Sequence, residues 1–168
     1  MAGPSLPEPW LRGTLPDRNP IVRAVVHALE LAREDLWKWC FPLSEAQLND
    51  RPGGIGPVAF HLRHIARSLD RLLTYAEGAE LNEEQLQELK NELEAGTTRD
   101  EVFGELDRSL QRSRDRVMAL DGVEFSTARS VGKKRLPTTV GGLLVHVADH
   151  TQRHVGQAIT TAKIASGR

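Results

Sequence analysis

Four segments of this chain place apolar residues three and four apart, and each is bounded by a capping residue, proline or glycine, so the chain has four helical stripes to bury. An isolated amphipathic helix leaves its stripe in water; four in one chain remove it by packing on each other. The first segment opens at Asn19-Pro20, an N-cap followed by proline at the first helical position, where its missing N–H costs nothing. It runs to about Phe41, with Ile21, Val25, Leu29, Ala32, Leu36 and Trp39 on one face. The second spans roughly 56–77 through Val58, Leu62, Ile65, Leu69, Leu72 and Leu73, and Gly78 stops it. The third follows the capping box Thr98-Arg-Asp-Glu101, turns Val102, Leu106, Leu110, Val117 and Leu120 inward, and ends at Asp121-Gly122. The fourth starts from Thr138 as its cap and reaches about Ile164.

The intervening stretches are short or irregular. Ser44 and Gln47 form a capping box for one helical turn, with a staple between Leu43 and Leu48, and Arg51-Pro-Gly-Gly54 ends it. Asn82 caps a short, very acidic helix, EEQLQELKNELEA, closed by Gly96; its low apolar content predicts a solvated surface excursion between the second and third long helices. Residues 123–137 contain Gly132, the basic triplet Lys133-Lys134-Arg135 and Pro137, and read as an irregular loop whose cations are solvated or grip an anionic substrate. Pro4, Pro7, Pro9 and Pro16 make residues 1–18 an extended arm, with Trp10 and Leu11 expected to pin it to a single domain over 19–168. No strand pattern or internal repeat competes with an all-α bundle.

Composition narrows the function classes. A net charge of -1 gives no overall field for nucleic acid or an anionic membrane, and no stretch approaches the ~18–20 apolar residues that span a bilayer. The one cysteine, Cys40, lies in the apolar run Trp-Lys-Trp-Cys-Phe and reads as a core residue rather than a nucleophile. With no disulfide framework and no signal-peptide pattern, a reducing cytoplasm is the expected setting.

Six histidines are present, and five fall in two of the predicted long helices: His61 and His64 on the second, His146, His150 and His154 on the fourth. Imidazoles four residues apart project from one helix face at neighbouring turns, and imidazole suits Zn, Ni, Cu and Fe. On the fourth helix His154 lies ~60° from the centre of the apolar face, His150 ~100° and His146 ~140° at ~100° per residue. An interior ion would therefore draw on His150 and His154, with His146 nearer solvent. His61 and His64 both remain open as the third ligand, periodicity slightly favouring His61. His27 falls on the charged face of the first helix and reads as solvent-facing or locally satisfied.

Two stretches carry a family resemblance: Phe60-His-Leu-Arg-His64-Ile-Ala-Arg-Ser, and Leu144-Val-His-Val-Ala-Asp-His150-Thr-Gln-Arg-His154-Val-Gly-Gln157, about 85 residues apart. They resemble the DinB-like superfamily, which includes proteins of the YfiT type. The resemblance implies an up-down-down-up four-helix bundle, often dimeric, with a nickel- or zinc-type divalent ion near one end; iron and manganese are the further cofactor options. Matched position by position, it makes His64, His150 and His154 the ligands. It further implies hydrolase-like enzymes and transferases or isomerases that use a low-molecular-weight thiol.

Three neutral imidazoles leave an ion its full charge and an open position, the catalytic pattern of zinc sites. Such an ion lowers the pKa of bound water to about 7 or activates a thiolate. Asp149, Arg153 and Gln157 flank the ligands on the fourth helix, and Ser68, Arg71 and Tyr75 lie on the histidine side of the second. Gln157 and Ser68 are the candidates for orienting water or substrate. The expected function is a metal-dependent hydrolase or thiol-dependent transferase acting on a small molecule; the alternative is a non-catalytic metal-binding or stress-response bundle acting through dimerisation.

Overall fold

Nearly every helix in the chain begins where a side chain satisfies backbone N–H groups that the first turn leaves without partners. A computed structural model describes residues 6–93 and 96–167. Asn19 accepts from Ile21 N at the start of α1 (Pro20–Trp39), and reciprocal capping boxes open α2 (Glu45–Asn49), α4 (Glu83–Lys90) and α5 (Arg99–Ala119). Among the α-helices of the described residues, only α3 (Val58–Ala76), which follows Pro57, lacks a side-chain cap. The last helix, α6 (Val140–Ala165), is capped by Thr139, whose side chain accepts from Gly142 N.

Thr138 is not that cap, because residues 123–137 are not the loop their composition suggested. β1 (Ala128–Val131) and β2 (Leu136–Thr139) pair as an antiparallel hairpin, with Ala128 opposite Thr139 and Thr138 opposite Arg129. Four-residue strands are too short for alternation to register, and Pro137 argues against a strand except at an edge, the only kind a two-stranded sheet has. Gly132 and Arg135 close the turn at φ 70 and 48. The molecule is mainly helical with this one small sheet among the described residues.

The four long helices pack in a closed ring: α1 contacts α5 and α6, and α3 contacts the same two. Val22, Leu36, Leu62, Ile65, Leu69, Leu106, Leu144 and Val147 are fully buried between them. Each large apolar side chain taken from water contributes about 1.5–3 kcal/mol. Polar ties fix the register: Ser109 Oγ donates to Ala66 O at 2.6 Å, Arg116 pairs with Asp70 and Glu77, each at 2.7 Å, and Gln152 Nε2 donates to Ala28 O at 2.8 Å.

Two surface segments are tied down more firmly than their composition predicts. The arm contains a 3-10 turn, Pro9–Leu11, yet Trp10 and Leu11 are 61% and 56% exposed and do not anchor it. Arg12 does so, through a bidentate pair with Glu34 at 2.6 and 2.8 Å, together with Thr14, whose hydroxyl meets His27 Nε2 at 2.9 Å. His27 is therefore buried beneath the arm rather than solvent-facing. The first five residues of the arm lie outside the described set. The acidic helix ends at Lys90, earlier than expected, and lies against α3: Gln85 donates to Asp70 and Thr74, and Arg67 to Glu88 O. Glu94 and Ala95, in the expected last turn of that helix, lie outside the described residues.

No helix among the described residues is long and apolar enough to cross a membrane. Leu144 is fully buried on α6, so Leu144→Ala should cost about 2–5 kcal/mol, read as a lower denaturant midpoint with an unchanged slope.

Candidate metal centre

The packing of α3 on α6 brings imidazoles from the two helices together. His64 Nε2 lies 3.3 Å from His150 Nε2, and the rings of His64 and His154 are 4.3 Å apart between centroids. His150 and His154, one turn apart on α6, have ring centroids 4.7 Å apart. His64, His150 and His154 each offer a nitrogen within 4.8 Å of the other two. All three are partly buried.

The third dimension of the site comes from a residue that the sequence pattern placed in solvent. Glu92, just beyond α4, is 5% exposed, and its Oε2 lies 2.6 Å from His64 Nδ1. An ionised carboxylate only accepts, so Nδ1 carries the proton and Nε2, the nitrogen facing His150, keeps its lone pair. The other oxygen of Glu92 accepts from Arg71 Nη1 at 2.5 Å. Burial alone would raise the Glu92 carboxyl, but the hydrogen bonds from His64 and Arg71 hold it below the usual glutamate range. This carboxylate–histidine arrangement is the support that orients metal-binding imidazoles elsewhere.

The site favours uncharged rings. Burial, followed by the proximity of His64, pushes His150 and His154 down to about 4. His61, also buried, is likewise pushed down to about 4. At neutral pH these rings carry lone pairs rather than positive charge, as metal binding requires. Tetrahedral donors at ~2.0–2.1 Å from zinc stand ~3.3 Å apart. The 3.3 Å between His64 Nε2 and His150 Nε2 matches that edge. His150 Nδ1, the ring nitrogen other than the one that faces His64, is buried with no hydrogen-bond partner among the described residues. The donor set thus fits a divalent ion of the zinc or nickel kind.

The remaining candidates fall around this trio. His61, which periodicity favoured over His64, stands outside it: its Nδ1 shares a hydrogen bond with His154 Nδ1 at 3.1 Å, which leaves His154 Nε2 unused. His146 sits at the edge, its side chain 44% exposed and 3.1 Å from Asp149. Arg153 lies 3.7 Å from the same carboxylate. Ser68 is buried, with Oγ donating to Ile65 O at 3.2 Å, and it lines a cavity that also reaches His64, His150, Arg71 and Tyr75. Gln157 is exposed and makes no hydrogen bond to the histidines. Cys40 is fully buried, and burial pushes its thiol up to about 12, so it is not a nucleophile at neutral pH.

Two measurements follow from this geometry. Glu92→Gln keeps the volume and removes the charge behind His64, and should weaken zinc affinity by roughly 10–100-fold in a chelator competition. For the metal-free protein, His61, His150 and His154 titrate near 4 when folded and at ~6.5 when unfolded, so the unfolded chain binds more protons between those values. Stability should therefore be complete above about pH 6.5 and fall as the pH drops towards 4, and urea midpoints for His61→Gln should show a smaller decline over that range.

No curated protein matches the chain. A family model described as the DinB superfamily matches residues 28–158, from the middle of α1 to the later turns of α6, and takes in both histidine-bearing helices. The chain belongs to the DinB superfamily.

Proposed function

We propose that this chain is a divalent-metal-dependent enzyme acting on a small molecule, as a hydrolase or a thiol-dependent transferase, with His64, His150 and His154 as the ligands. One observation carries the reading: three histidines that can share an ion, two of them pushed to low pKa by burial, stand beside a cavity of ≈ 220 Å³ that His64 and His150 line. A purely structural zinc site is closed by four protein ligands, whereas three leave room for a reactant. Zinc or nickel best suits three imidazoles, with iron or manganese as the further options. When bound, such an ion supplies Lewis acidity, polarising an oxygen or sulfur brought to it.

The chain's own residues then have separable tasks. Glu92, held by Arg71, keeps the proton of His64 on Nδ1 and so keeps Nε2 a donor atom. Leu72, Leu81 and Leu89 make much of the cavity wall apolar, which limits water around the reacting group. Ser68, on the same wall, is the candidate for orienting a substrate; Gln157 at the surface is the weaker one.

The same proposal includes the up-down-down-up order of the four long helices. It is supported by the side-chain ties: α5 meets α3 at successive points in the same direction, Arg63 with Glu105, then Ala66 with Ser109, then Glu77 with Arg116. The α3–α6 pairs run oppositely, His61 with His154 and His64 with His150. Homodimer formation and a low-molecular-weight thiol as co-substrate are supported by the family resemblance, and a cytoplasmic setting by the single cysteine, Cys40.

The test is elemental analysis of protein purified without chelator, coupled to hydrolase and thiol-transfer screens. About one equivalent of a divalent ion is expected in the native protein, with His150→Ala losing both the metal and any turnover. Native protein that retains no divalent ion would remove the proposal. Metal that raises the melting temperature without turnover in either screen would favour the non-catalytic bundle.

A further inference from the structure

The cavity beside the histidines is one end of a longer groove. It shares Tyr75 and Leu81 with a second cavity of ≈ 690 Å³ beneath the hairpin. His64, Ser68, Arg71 and Tyr75 stand at i, i+4, i+7 and i+11 on α3, a single stripe ~16 Å long at 1.5 Å per residue. The groove along that stripe starts at the imidazoles, passes Leu72, Leu81 and Leu89, and ends at the segment 78–80 and the hairpin.

Its two ends differ in charge balance. Near the imidazoles, Arg71 is neutralised by Glu92 at 2.5 Å. At the hairpin end the wall carries Arg129, Lys133 and Arg135 against one carboxylate, Glu80. Arg135 pairs with Glu80 at 3.2 Å. Arg129 donates to two backbone carbonyls, Ala76 O at 2.8 Å and Ala128 O at 3.0 Å, and has no carboxylate partner among the described residues. Lys133 likewise has no ion-pair partner among the described residues. Two cations therefore face one cavity without a matching anion among the described residues. Anchoring Arg129 through backbone carbonyls fixes its position without cancelling its charge, which suits a guanidinium that receives a ligand's anion.

We propose that the hairpin end of the groove is an anion-binding subsite, and that the substrate is an elongated small molecule with a carboxylate or phosphate at Arg129 and Lys133. An apolar middle would lie along Leu72, Leu81 and Leu89, and the reacting group would lie at the histidines. The position of the reacting group rests on the metal-enzyme reading; anion capture at the hairpin does not.

The test compares dansylglycine with its uncharged amide, dansylglycinamide, by fluorescence titration on zinc-loaded and on chelator-treated full-length protein. The two probes share an apolar body and differ in one charge. The carboxylate should bind about tenfold more tightly than the amide in both forms of the protein. Lys133→Ala should reduce that preference and Lys133→Glu should abolish it, while the zinc content stays at the wild-type value. Raising ionic strength from about 0.05 to about 0.5 M should weaken the carboxylate alone. A preference that survives Lys133→Glu, or that disappears when zinc is removed, would overturn the subsite and leave the metal site standing. Equal binding of the two probes would also overturn it. Failure of the native protein to hold zinc, with the preference intact, would strike the metal-enzyme reading and leave the anion subsite in place.

Discussion

The site depends on one packing relation, the approach of α3 to α6 that sets His64 Nε2 3.3 Å from His150 Nε2. Two imidazoles so close, in a setting that disfavours charge, need one nitrogen protonated and its neighbour bare, or an ion between them. The apolar stripes make that approach possible. Leu62, Ile65 and Leu69 on α3 and Leu144, Val147 and Val155 on α6 are almost wholly removed from water, and they fix the rotation of each helix about its axis. Turning α3 by one residue would expose this stripe and carry His64 away from His150. The core and the site are therefore specified by the same rotation.

Around that contact, the chain spends buried polar groups on orientation. Arg71, Glu92 and His64 form a chain in which each member holds the next, and none of it is needed to fill the core. A buried ion pair of this kind is seldom a net source of stability, since taking two charges out of water offsets their attraction. Its retention is explained by what it does to His64. By contrast, His27, satisfied by Thr14 under the N-terminal arm, has no part in the site and serves to dock the arm.

How much was legible in the sequence follows from how local each determinant is. Capping boxes at Ser44, Asn82 and Thr98 and the Asn19-Pro20 start act within one helical turn, so those helix starts could be read directly. The pairing of His150 with His154 was legible for the same reason. The choice between His61 and His64 was not: both meet an imidazole of α6, His61 at His154 and His64 at His150, and only the packed position of α6 sets which one stands within 4.8 Å of both His150 and His154. Resemblance to the family pointed to His64 where periodicity leaned to His61. Glu92 stayed hidden because its burial is created by a segment that folds back along α3, and a run of acidic residues reads as solvated until that path is known. The hairpin was missed because two four-residue strands, one containing Pro137, give no periodic signal.

X-ray absorption at the metal edge of zinc- or nickel-loaded protein tests the central claim most directly. The account predicts scattering from three imidazoles at ~2.0–2.1 Å, together with an oxygen donor that is replaced by sulfur at ~2.3 Å when a thiol is added. It predicts two imidazoles after His64→Ala and an unchanged three after His61→Gln. Four imidazoles in the native protein, or the loss of one on His61→Gln with none lost on His64→Ala, would contradict it.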